Sequence, residues 1–100
     1  MPIIGASEIE GLLNRMAVGV DLFAESDDGP TYETLADAHK AGKQLKVLLD
    51  AGKMFPSVSV ELTNFIESTY RGFFSDPLLY TASAALSIAN IHSEIGPELS

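Results

Sequence analysis

The sequence predicts an all-α fold of about four helices in two hairpins, bundle-like or an irregular helical array. Three observations predict it. Apolar residues recur at three- and four-residue spacing along four stretches. Capping residues, glycine or proline bound each stretch. The only alternating segment, Ser57-Val58-Ser59-Val60, spans four residues and reads better as a helix entry. Residues 1–100 read as one helical domain, with helices at about 8–24, 32–51, 58–74 and 77–95 and a frayed tail at 96–100.

In the first helix Ser7 is the expected N-cap, with Glu10 three residues on completing a capping box. Ile9, Leu12, Leu13, Met16, Val20 and Phe23 form one apolar stripe, and Val18 and Leu22 lie off it, where a second contact is expected. Gly11 and Gly19 weaken the helix; simple tolerance is the default reading of both, and close approach of a neighbour is the alternative. The run Glu25-Ser-Asp-Asp-Gly-Pro30 is the clearest loop. Its acids are out of register with a calcium loop, which takes ligands at alternating early positions and a terminal glutamate. No metal is expected there.

The second helix has Thr31 as candidate N-cap and Gly52 as the natural residue after its end. Leu35, Ala38, Gly42, Leu45 and Leu49 form a seam suited to an antiparallel partner, the first helix. Ala38 and Gly42 would let the two approach closely. Glu33 and Asp37 come early and the lysines late, as the helix dipole favours. A partner-binding basic stripe is the alternative reading. The connector Lys53-Met-Phe-Pro56 holds Met54 and Phe55, expected to plug the core.

The third helix, capped by Ser57 or Ser59, carries Val58, Leu62, Phe65, Ile66, Thr69 and Phe73 on one stripe, broadened by Tyr70. Phe65, Tyr70, Phe73, Phe74 and Tyr80 are five of the eight aromatics. Such a cluster is expected to be the main core, because each ring buries a large area. The alternative is an interface patch around Tyr70, Arg71, Phe73, Phe74 and Tyr80, since Tyr, Phe and Arg suit binding hot spots.

The fourth helix, capped by Asp76 and opened by Pro77, has no charged residue from 77 to 93. One face carries Leu78, Ala82, Ala85, Leu86 and Ala89. The other carries Ala84, Ile88, Ile91 and Ile95. A surface helix normally gives a charged face to water. This one is expected to need neighbours on both sides, and a homodimer is expected through it, with Ala84, Ile88, Ile91 and Ile95 as interface candidates. Asn90 and His92 belong at a rim.

Net charge is −8 and unevenly spread. Residues 1–37 hold eight acids against Arg15 alone, whereas 38–53 hold four lysines against Asp50. Such a chain is repelled by bare nucleic acid and anionic membranes. A protein partner with a basic or amphipathic surface is expected, with Glu25, Asp27 and Asp28 as candidate electrostatic contacts. No cysteine is present, which excludes disulfides and thiolate metal sites. Residues 1–10 lack a basic then apolar signal pattern, and a cytoplasmic location is expected. The 17-residue uncharged run contains Thr, Asn, His and three Ser, and reads as a buried helix, not a membrane span.

Catalysis is not expected. His39 and His92 stand on different helices without a ligand-like motif, and no phosphate-binding, zincin or nucleophile-elbow motif is present. No catalytic, metal or cofactor residues are assigned. The expected function is a small acidic non-enzymatic regulator that binds another protein, of inhibitor, anti-activator, adaptor, chaperone or immunity type. An apolar or aromatic helical surface would supply affinity, and the acidic surround would supply steering. The alternative is a nucleic-acid mimic that blocks a DNA- or RNA-binding protein through the acids of residues 8–37. An apolar ligand pocket between helices is a third, weaker class.

Overall fold

The computed structural model describes residues 6–25, 32–53, 55–75 and 77–99, without the side chains of Ala6, Pro77, Leu78, Glu98 and Leu99. It contains α1 (Ala6–Ala24), α2 (Tyr32–Gly52), α3 (Pro56–Gly72) and α4 (Pro77–Leu99). The fold is all-α, and no strand occurs among the described residues.

The four helices form a closed ring in cross-section. α1 touches α2, α2 touches α3, α3 touches α4, and α4 returns to α1, while the diagonal pairs do not meet. Contacts at descending levels make sequential helices antiparallel: Phe23 meets Tyr32, Gly42 meets Phe65, and Ser68 meets Ser83. The result is a rod of 46 × 20 × 19 Å.

Each helix sends its apolar stripe to the shared axis. Ile9, Leu13, Met16 and Val20 of α1 share one buried cluster with Leu45 and Leu49 of α2, Leu62 and Phe65 of α3, and Ile91 and Ile95 of α4. Ala41, off the expected seam, is also fully buried. The interior polar groups are matched. Ser68 and Ser83 hydroxyls lie 3.1 Å apart, and no buried side-chain nitrogen or oxygen lacks a partner among the described residues.

Two small-residue sites decide how closely the helices cross. A Cβ at Gly19 would lie 2.6 Å from the Thr34 carbonyl oxygen and 2.8 Å from the Ala38 Cβ. Gly19 is therefore a close crossing with α2, contrary to the tolerance expected for it. Gly11 faces open space, as expected. Ala38 does admit α1, but Gly42 admits the Phe65 ring of α3, which a Cβ would approach to 2.7 Å. The seam of α2 thus serves two neighbours.

Helix ends depart from expectation at α1, α2, α3 and α4. α3 starts at Pro56, and its N-cap is Phe55 in the left-handed region (φ 50), with no side-chain cap. Ser57 and Ser59 lie inside the first turn and bond outward instead, to Glu94 (2.6 Å) and Asp50 (3.0 Å). The left-handed residue after α2 is Lys53 (φ 53), not Gly52, which is still helical. The last turn of α2 holds no basic residue, so its lysines sit mid-helix. α4 also continues through Gly96 and Pro97 to Leu99 where a tail was expected. Ile95, fully buried, anchors that last turn. Proline cannot donate an N–H to the carbonyl of Ser93, and Ser93 is an exposed residue. Ser7 falls one residue inside α1, and the caps expected at Thr31 and Asp76, like Met54, lie outside the described residues. Phe55 is half-buried against the core, as expected of a plug.

Candidate protein-interaction surface

α3 ends in a tightened turn. The Phe73 N–H donates to the Tyr70 carbonyl (3.2 Å), and the Phe74 and Ser75 N–H groups donate to that of Arg71 (3.0 and 2.9 Å). This turn keeps Phe73 against the bundle and throws Phe74 outward. Aromatic rings then run across the end of the rod. Phe23 of α1 lies 5.7 Å from Tyr32 of α2, and Tyr32 stacks on Phe73 at 5.6 Å. Phe73 lies 6.4 Å from Phe74, Phe74 lies 5.1 Å from Tyr70, and Tyr70 lies 6.4 Å from His39. These spacings suit favourable aromatic contact.

The series passes from core to solvent. Phe23 is buried and Phe73 half-buried, but Tyr70 is 58% exposed and Phe74 75% exposed. Of the five aromatics expected to form the main core, Tyr70 and Phe74 are therefore exposed, and Phe73 and Tyr80 are half-buried. Phe65 is its one fully buried member among the described residues. The reason is position: Tyr70 lies off the α3 seam that Phe65 and Thr69 occupy, and Phe74 lies in the turn beyond the helix end, beside Tyr70.

Tyr70 and Phe74, with Glu67, Arg71, Ser75 and Tyr80, line an open hollow of about 540 Å³. Arg71 is held across it. Its Nε donates to Glu67 (2.9 Å), and hydrogen bonds to Tyr80 first and Glu67 second raise its already high pKa. Behind the rings, the His39 Nδ1 lies 2.7 Å from the Thr69 hydroxyl. Burial pushes the His39 pKa down, Lys43 adds to that, and the Ile66 carbonyl opposes it. His39 is thus a packed, hydrogen-bonded histidine, and His92 is exposed on another helix.

The expected interface residues fall into two groups. Tyr70, Arg71, Phe73, Phe74 and Tyr80 are brought together at one end of the rod. Ala84, Ile88, Ile91 and Ile95 are not part of that surface. They are at most 7% exposed, inside the intrachain core, so the dimer contact expected of them is corrected. The Ile side is the bulkier of the two apolar sides, and it fills the ring of helices. The other side of α4 faces outward, with Leu79 59% and Leu86 63% exposed. Sequence reasoning identified two faces but had no signal for which was inside.

Of the acidic candidates, Glu25 is exposed just beyond α1, at the aromatic end, while Asp27 and Asp28 lie outside the described residues. Asp37 is tied to Arg15 at 2.7 Å, and that hydrogen bond holds its carboxyl below the usual range. On the opposite side, Lys46 and Ser59 both bond Asp50, at 2.8 and 3.0 Å, and pin α2 to α3. Lys46 is thus partnered within the chain. Val18 and Leu22, expected to make a second contact, are 44% and 51% exposed beside a shallow groove at Gly19. Among the described residues, no three metal-binding side chains gather, and no helix is long and apolar enough to cross a membrane.

Fold and surface together define an antiparallel four-helix bundle with an aromatic end open to solvent. Comparison with protein families, curated proteins and solved structures finds none that matches the chain.

Proposed function

We propose that this chain is a small non-enzymatic regulator that binds another protein through its aromatic end. The exposure of Phe74 beside Tyr70 supports this reading most directly. Two large rings left in water next to a hollow of several hundred Å³ represent apolar area that a partner would bury. Arg71, oriented by Tyr80 and Glu67, supplies a directional polar contact at the same place. The acid-rich link from Glu25 to α2 would steer a basic or amphipathic partner toward that end.

The test is capture of partners from the native host with wild type and with Tyr70→Ala/Phe74→Ala. The double variant is expected to keep the wild-type thermal melt and to lose the captured protein. Retention of the same partner by the folded double variant would overturn the aromatic reading. Repeating the capture with Asp27→Asn/Asp28→Asn across a salt series separates this reading from nucleic-acid mimicry. A mimic would lose affinity steeply with salt and with those two charges, whereas an aromatic interface changes little.

A further inference from the structure

We propose that a second copy of this chain docks antiparallel on the outward face of α4. This face is distinct from the exposed rings of Tyr70 and Phe74 and shares only the Arg71–Tyr80 corner with the aromatic end. The outward face presents Leu79, Ala82, Leu86, Ala89 and Ser93, all exposed and spaced three and four residues apart. That is the spacing of a two-helix seam. The order Leu-Ala-Leu-Ala is self-complementary in the antiparallel sense. A two-fold axis level with Ala84 sets Leu79 opposite Ala89 and Ala82 opposite Leu86, so each large side chain meets a small one. Small residues across the seam let the two axes approach to roughly 8–10 Å.

Charge selects a copy of the chain for this face. At a net charge of −8, two copies repel wherever their acids face each other. Exposed acids stand on α1 (Glu8, Glu10, Asp21), on α2 (Glu33, Asp37, Asp50), on α3 (Glu67, with Glu61 half-exposed) and near the end of α4 (Glu94). The outward face of α4 carries none from Leu79 to Ser93. Its α3 rim is also complementary to itself. Arg71 stands level with Tyr80 at one end, and Glu61 stands level with Asn90, which donates to it at 3.2 Å, at the other. The same two-fold axis brings the Arg71 level of one copy to within two residues, about 3 Å along the axis, of the Glu61 level of its partner. Glu67, which falls near the axis, is already paired with its own Arg71 at 2.8 Å.

The mass of the purified chain in solution is measured by light scattering at micromolar concentration, for wild type, Leu86→Glu and Val47→Glu. Val47 is 69% exposed on α2, away from this face. Wild type and Val47→Glu are expected at twice the 10.7 kDa chain mass, and Leu86→Glu at the single mass with an unchanged helical signal. A monomeric wild type, or a dimeric Leu86→Glu, overturns the proposal. The register has its own readout, since the chain has no cysteine. Mixed Ala82→Cys and Leu86→Cys chains are expected to form the mixed disulfide in preference to either like pair, and dominant like pairs would overturn the antiparallel arrangement. Phe74→Ala is expected to leave the mass unchanged, which separates this face from the aromatic end.

Discussion

The two sides of α4 are equally free of charge over most of their length, yet they have opposite fates. On one side Ile91 and Ile95 are fully buried in the core that the four helices share. On the other, Leu79 and Leu86 keep more than half their surface. Apolar character alone does not place a side chain inside. A closed ring of four helices has room for one stripe from each, and the stripe with the greater branched bulk fills it better. The remaining side is left for water or for a partner.

The largest effect is expected where that contrast is tested directly. Ile91→Ala removes buried volume at the centre of the bundle and should cost about 2–5 kcal/mol in a denaturant melt. Leu86→Ala, measured at low concentration where the chain is monomeric, should stay within about 0.5 kcal/mol of wild type. Comparable losses at both positions would show that the outward face is covered within the monomer.

The two glycines of α1 extend the comparison to the backbone. Gly19→Ala drives a Cβ into the Thr34 carbonyl and should destabilise by about 1–3 kcal/mol. Gly11→Ala meets nothing and gains helix propensity, so it should stabilise by up to about 1 kcal/mol. Thermal melts of the two single variants should therefore shift in opposite directions.

The smallest effect concerns His39, inward-facing and titratable. Its folded-state pKa is depressed, so the unfolded chain takes up the proton first as pH falls. The contribution of neutral His39 is present above the ordinary histidine range, about 6.5, and is lost as pH falls through it toward the folded value. His39→Gln retains a side chain able to bond Thr69 and removes the titration. Denaturant melts on either side of that range should show a shallower pH dependence for the variant. Equal slopes would mean that the histidine is hydrated.

Much of the fold was legible because helix periodicity and end signals are local. The stripe from Ile9 to Phe23, the seam from Leu35 to Leu49 and the proline at the start of α4 are written within a few turns of chain. The surface was less legible. Tyr70 and Phe74 share composition with the core-forming Phe65, and only the angle of Tyr70 around α3 and the place of Phe74 past its end separate them. Gly19 and Gly11 are the same residue in the same helix, and only the crossing of α2 distinguishes them. Pro97 reads as a helix stop until Ile95 is seen anchored beneath it.

By itself, then, the sequence determined four helical stretches, an acidic composition and a fourth helix uncharged from 77 to 93 with two apolar sides, because each follows from residue order along a single element. Tertiary structure decided which of those sides became core, which glycine became a crossing and which aromatics reached solvent. Those outcomes depend on the rotation of each helix about its axis, and that rotation is set by how four stripes share one limited interior volume.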